Sequence, residues 1–279
     1  MASESDDEYE PASISTKPTS RMKISNVFLS MGLLAMALKD VLQRDKYGLE
    51  MFAGVKAICK AFNGMGMNFS SFEIQDSPDQ DVCSLRGFVL AAALILQCLP
   101  DGVVWFATVC STWVFMSKSS TGRHLHVLGN GSAACHYANI MVHRVALLCE
   151  LATTRAVKWV LDQPRSITMQ LHPRRELMLK KHEDANIHVH TNVPTYMGAF
   201  GGESQKCLKL SGTAEWLPRM KAQASNATLY PKRDIVRKTI SKNGTQQVTG
   251  GKDLKSTQAY TNQFGLQVAV SLFNTLVAA

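Results

Sequence analysis

Val103-Val104-Trp105-Phe106-Ala107-Thr108-Val109 is a near-continuous apolar run rather than an alternating one. A strand that shows water neither face reads this way, as in a parallel sheet with helices on both sides. Upstream, Leu49 to Ala53 reads as a short strand ending at Gly54, Val55 to Asn63 as the helix it feeds, and Asn68 to Ile74 as a second strand ending at Glu73. A helix from about Leu85 to Leu99 leads into the apolar run. Downstream, Ser117 to Ala134 is polar and glycine-containing, a loop, and Asn139 to Thr153 is a strongly apolar helix. Val157 to Leu161 is a strand predicted to stop at Asp162-Gln163-Pro164, because proline donates nothing to a ladder. Asn186 to Ser211 reads as strands and turns, with Gly198, Gly201 and Gly202 allowing a tight reversal. The alternation of strand and helix predicts an α/β, Rossmann-like sheet with flanking helices.

The predicted domain covers residues 25–218 and includes an accessory amphipathic helix from Asn26 to Leu42. Residues 1–24, rich in Ser, Asp, Glu and Pro, bury too little apolar surface to offset the entropy of ordering and are predicted to be a disordered acidic segment. Residues 219–261 read as a basic low-complexity linker and 262–279 as a C-terminal apolar helix packed on the domain.

The chain has 279 residues, 46% of them apolar and 19% charged, which suits a packed globular core. Its formal charge of +8 is uneven: Arg219 to Lys255 holds nine Lys and Arg against Asp234 and Asp253 alone. Such a stretch suits DNA or another nucleic acid, through phosphate contacts that release counterions, or is a solvated segment. The seven cysteines are scattered, without a CxxC pair or a signal peptide, which predicts free thiols and an intracellular location, nucleus or cytoplasm. No apolar run reaches the roughly 20 residues that span a bilayer. His124-x-His126 and His188-x-His190 lack nearby acids or thiols at zinc-like spacing, so no metal is expected.

In an open α/β sheet, ligands bind beyond the carboxyl ends of the strands. Gly54, Glu73, Cys110 and Asp162 all fall at predicted strand ends. Glu50-Met51-Phe52-Ala53-Gly54 resembles the first motif of the cytosine-C5 DNA methyltransferases and their phage-type relatives, an apolar-Phe-Ala-Gly turn that lets S-adenosylmethionine approach the backbone. Lys56 stands where most of that family has a second glycine. The resemblance implies a class I methyltransferase sheet, with Phe52, Ala53 and Gly54 against the cofactor, Glu73 accepting hydrogen bonds from its ribose hydroxyls, and Asp81 meeting its adenine amino group.

Phe106-Ala107-Thr108-Val109-Cys110-Ser111-Thr112-Trp113 lies where the family has Pro-Cys, whose thiolate adds to C6 of cytosine so that C5 becomes nucleophilic. Thr108 and Val109 replace the prolines. From the residues alone, Cys110 reads equally as a core-packing thiol. Trp159-Val160-Leu161-Asp162-Gln163-Pro164 resembles the sixth motif, whose Glu serves cytosine N3; here the acid is Asp162. Tyr196-Met197-Gly198 with Lys206 resembles a Tyr-Gly turn followed by Lys-Pro-Thr, with Cys207 replacing proline, and gives Lys206 as a phosphate contact. Arg123, in the loop after Cys110, is a second phosphate candidate or part of a surface loop.

These motifs arrive in family order. They imply an S-adenosylmethionine-dependent methyltransferase-like protein acting on DNA cytosine through Cys110 and Asp162. The departures at Lys56, Thr108-Val109, Asp162 and Cys207 imply an alternative, a catalytically decayed scaffold that binds nucleic acid or a protein. A third is an enzyme of the same fold methylating another substrate.

Overall fold

The computed structural model describes residues 43–165, 167–204, 206–222, 236–240, 246–250 and 257–278. The predicted acidic segment 1–24 and the helix Asn26 to Leu42 lie outside the described residues. Six strands form one mixed sheet: β1 (Lys46–Met51), β2 (Phe69–Phe72), β3 (Cys98–Phe106), β4 (Lys158–Pro164), β5 (His190–Tyr196) and β6 (Cys207–Gly212), in the order β2-β1-β3-β4-β6-β5. The pairs β1–β2, β1–β3 and β3–β4 are parallel, and β6 runs antiparallel to both β4 and β5. The fold is α/β and Rossmann-like, with one reversed strand near an edge, a common variation on such sheets.

Val103, Val104, Trp105 and Phe106 have no exposed surface, as the apolar run predicts. Alternation along the pleat divides them between two layers. Val103 and Trp105 join Val160 and Leu210 beneath helix α1 (Ala57–Gly64) and the C-terminal helix, where Ile58, Phe62, Phe264, Val268 and Leu272 complete the cluster. The opposite face is covered by α2 (Leu85–Leu96) and α3 (Ala133–Thr154), with α4 (Pro173–Asp184) packed against α3.

Several boundaries differ from expectation. Strand β3 begins at Cys98 and ends at Phe106, so Ala107 to Val109 leave the sheet and turn towards the cleft. Strand β4 does not stop before its proline: Asp162, Gln163 and Pro164 pair with Leu210, Lys209 and Leu208. Arg165 donates its N–H to the Cys207 carbonyl, so the N–H that Pro164 lacks would have pointed the other way. On that side β3 has already ended, its last pair with β4 being Phe106 with Leu161, and no ladder bond is lost. The expected loop Ser117 to Ala134 contains a helical turn at Lys118–Thr121, and α3 starts at Ala133, where Ser132 accepts the Cys135 N–H. Helix α4 carries no expectation from the sequence. Its charged stretch lacks an apolar stripe, yet Pro173 at its first position and the His172 ring capping the Arg174 N–H start it.

The basic linker expectation is corrected at two places, where β7 (Val236–Ile240) and β8 (Gln246–Gly250) pair antiparallel. Arg237 and Lys238 therefore stand on a hairpin strand, and β-branched Val236, Thr239, Ile240, Val248 and Thr249 suit that pairing. The apolar helix predicted at 262–279 is α5 (Asn262–Ala278). Among the described residues no helix is long and apolar enough to cross a membrane.

Helix α5 crosses the first turn of α1 so closely that a Cβ on Gly265 would lie 2.3 Å from the Ala57 carbonyl oxygen. Gly265→Ala is therefore expected to lower the urea midpoint by about 1–3 kcal/mol of stability at unchanged m-value. That sign holds even though alanine is the better helix former by about 1 kcal/mol. A raised midpoint would mean that the helices separate without loss.

Candidate functional site

From β1 the chain passes through α1 to β2 on one side, then through α2 to β3 on the other. The carboxyl ends of β1 and β3 therefore flank a topological switch point, where such sheets bind ligands. The turn after β1 carries three left-handed residues, Phe52 (φ 60°), Gly54 (φ 49°) and Lys56 (φ 59°). A bulky or branched side chain in that region costs on the order of 1–2 kcal/mol, so the turn has to be held by its surroundings. Phe52 donates its N–H to the Phe72 carbonyl at 2.9 Å, and Lys56 donates to that of Ala53 at 2.7 Å. The Lys56 ammonium pairs with Asp76 at 2.7 Å, an ion pair that restrains a side chain standing where glycine would be unstrained. A Cβ on Gly54 would meet nothing within 4 Å, so its bare face opens into free space.

Glu73 sits at the end of β2, 8% exposed. Its Oε2 accepts the Gly54 N–H at 2.8 Å and its Oε1 the Gln75 N–H at 3.2 Å. A carboxylate has about four lone-pair sites, so this bracing leaves acceptor capacity. The Asp81 Oδ1 accepts the Tyr137 hydroxyl at 2.7 Å and the Cys83 N–H at 2.8 Å. Burial first, and then Asp81, push the Tyr137 hydroxyl above its ordinary range. Between these elements lies a cleft of about 400 Å³ lined by Phe52, Ile74, Asp81, Val109, Thr112 and Tyr137, among others. Its size and its mostly apolar walls with a few polar groups suit a small-molecule ligand.

Across the loop from this cleft, Cys110 and Asp162 share one electrostatic environment with Lys206. Burial raises the Cys110 thiol above its ordinary range; the Lys206 ammonium opposes this and Asp162 adds to it. Burial likewise raises Asp162, against Lys206 and a hydrogen bond from Tyr260. That bond runs from the Tyr260 hydroxyl to Asp162 Oδ2, while the buried Oδ1 has no partner among the described residues. Gln163 donates to the Thr108 carbonyl at 3.2 Å, tying the end of β4 to the segment before Cys110.

The Gln163–Thr108 bond ties the Cys110 and Asp162 segments, and the Lys206 charge acts on both groups, while Phe52 and Asp81 line the cleft and Glu73 braces the Gly54 turn. Ala53 is buried within that turn. Arg123 is a correction. Its guanidinium stacks 3.3 Å from the centre of the Trp113 ring, donates to Asn139 at 3.1 Å, and is 5% exposed. It serves the interior of the loop rather than a phosphate, because Trp113 and the first turn of α3 offer a planar cation more contact than solvent does. Among the described residues no group of three or more His, Cys, Asp or Glu is arranged to hold a metal ion; the His188 and His190 rings meet at 3.3 Å. All seven cysteines are unpaired. No protein-family model and no curated protein matches the chain.

Two residues escaped the sequence reading. Tyr260 is one. The other is Glu50, fully buried on β1, whose Oε2 accepts the Cys59 N–H at 2.8 Å in the first turn of α1. A lone acid in a strand otherwise buried was the available signal. Burial pushes its carboxyl up to about 7.

Because the folded pKa lies above the unfolded one, the folded state binds the extra proton between the two, and stability falls as pH rises through that interval. From pH 4.5 to about 7 this single group contributes a decline on the order of 3 kcal/mol. Glu50→Gln is expected to flatten the slope of unfolding free energy against pH in that window, measured by urea denaturation at several pH values. An unaltered slope would remove Glu50 as its source.

Proposed function

We propose that the protein is an S-adenosylmethionine-dependent methyltransferase of the cytosine-C5 type, with DNA cytosine as its substrate. The observation that carries this reading is the hydrogen bond from Gln163 to the Thr108 carbonyl, which ties the end of β4 that bears Asp162 to the segment leading into Cys110, next to a ligand-sized cleft lined by Val109, Ser111 and Thr112 at the switch point of the sheet. The residues around the cleft fit the cofactor: Gly54 leaves its approach open, Glu73 retains acceptor sites for hydroxyl groups, and Ile74, Val109 and Tyr137 offer apolar contact to a purine. When bound, S-adenosylmethionine supplies an electrophilic methyl group on sulfonium.

The chain's own residues then divide the work. A cytosine flipped out of the stack meets Cys110. Its thiol loses its proton to solvent, the Lys206 ammonium favouring the resulting thiolate, and the thiolate sulfur adds to C6. Asp162, held towards its protonated form by burial, hydrogen-bonds N3 and stabilises the electron density that the addition drives onto C5. After methylation, loss of the C5 proton to solvent base and departure of the thiolate restore the ring. The basic stretch from Arg219 to Lys255, of which Arg219, Lys221, Arg237 and Lys238 lie within the described residues, supplies phosphate contacts independent of base sequence.

A second reading has its own support. The Cys110 thiol is raised by burial and the Asp162 carboxyl is already engaged by Tyr260, as in a decayed copy that keeps the fold and binds nucleic acid or a protein without chemistry.

Calorimetry separates the two. Wild type is expected to bind S-adenosylmethionine at micromolar affinity, and Glu73→Ala to weaken it by about 10- to 100-fold, the size of one charge-assisted hydrogen bond. Circular dichroism checks that the variant remains folded. Tritiated methyl transfer to DNA should vanish in Cys110→Ser and, in wild type, should rise with pH above 7 as the thiol ionises. Binding without transfer favours the scaffold, and no binding at millimolar cofactor overturns the cofactor site itself.

A further inference from the structure

Half-buried Tyr260 places its hydroxyl between two groups from distant parts of the chain. The Trp105 Nε1 approaches it at 3.1 Å, and it contacts Asp162 Oδ2 from 98 residues away in sequence. An indole N–H only donates. The hydroxyl must therefore accept from Trp105, and its single proton is directed to Asp162. When Asp162 is ionised, Oδ2 therefore accepts the Tyr260 proton, while Oδ1 is the oxygen without a partner among the described residues.

The ring that delivers this hydroxyl is itself held. Tyr260 meets Trp105 edge-on at 6.3 Å and leans on Phe264 at 4.8 Å. The next residue, Thr261, donates to the Phe200 carbonyl at 2.6 Å and accepts the Phe264 N–H at 3.1 Å, which fixes the start of α5. The groups facing the pair are Lys206 and Cys110 on the Asp162 side and Glu50 on the Tyr260 side.

We infer that Tyr260, backed by Trp105, is a positioning residue that holds Oδ2 of the Asp162 carboxyl and so fixes the orientation of that group. Its catalytic consequence rests on the methyltransferase reading, whereas the hydrogen-bond polarity does not.

The test uses the full chain as wild type, Tyr260→Phe, Asp162→Asn and the double variant. Infrared difference spectra against Asp162→Asn isolate the Asp162 carboxyl band. Tyr260→Phe should move the protonated-carboxyl stretch to higher frequency and shift the Asp162 titration to higher pH, since a donor to the charged form is lost. An unmoved band and titration overturn the inference. In methyl transfer, Tyr260→Phe should lower kcat by about 10- to 100-fold with unchanged cofactor affinity, and should add no loss in the Asp162→Asn background. Multiplying losses overturn action through Asp162. If wild type transfers no methyl group, the functional reading falls and the infrared arm alone decides the polarity. Should Tyr260→Phe fail to fold, ultraviolet difference titration of Asp162→Asn takes its place. Relieved of the neighbouring carboxylate, one tyrosine should ionise at lower pH than in wild type, and an unchanged tyrosine titration overturns the pairing.

Discussion

Strands β1 and β3 have helices on both sides and no face in water, and this constraint organises the rest of the molecule. A strand so covered tolerates polar groups only where its ladder ends, because a buried polar atom without a partner is expensive. Chemistry is therefore pushed to the carboxyl termini, where Phe52 to Lys56 turns out of β1 and Ala107 to Cys110 leaves β3. The reversed β6 extends the same logic. By pairing with Asp162, Gln163 and Pro164 it carries β4 past the end of β3, so that Asp162 remains on a paired strand beyond the last β3 pair.

The price of that arrangement is a set of buried polar groups, several of which are met by specific partners. Glu50 spends one oxygen on the first turn of α1 and is driven towards neutrality by burial. Asp162 leans on a hydroxyl supplied by the C-terminal segment. Arg123 finds the aromatic face of Trp113 and the side-chain amide of Asn139 on α3. The left-handed turn at Phe52 and Lys56 is a further local strain, balanced by Glu73 and Asp76 from the following strand end. Helix α5 links these answers, because Gly265 lets it lie against α1, and the residues that begin it bring Tyr260 to Trp105 and Asp162.

Much of this was legible in local patterns. The unbroken apolar run at Val103, the glycine after Ala53 and the acid after Phe72 each announce a strand end. The strand ends expected at Cys110 and Asp162 were displaced, since β3 stops at Phe106 and β4 runs on through Pro164. Lys206 was readable only by its order after the Tyr-Met-Gly turn. Helix α4 was not legible, since Pro-Arg-Arg-Glu-Leu-Met-Leu-Lys-Lys-His-Glu-Asp has charges on most faces and buries Met178 and His182 together with Arg174 and Arg175, whose guanidinium groups meet Glu150 and Ser211. Nor was the hairpin of β7 and β8, whose basic residues outweigh its short alternation.

The sequence by itself determined the alternation of strand and helix, the double burial of the central strands and the residue types at their ends. Those properties depend on neighbours a few positions away, through backbone sterics and the periodicity of burial. Only the tertiary structure decided that β4 continues through its proline, that Arg123 turns inward, and that Tyr260 and Trp105 complete the surroundings of Asp162. A buried polar group is satisfied by whichever distant segment the packing brings within about 3 Å, and no local pattern encodes the identity of that partner.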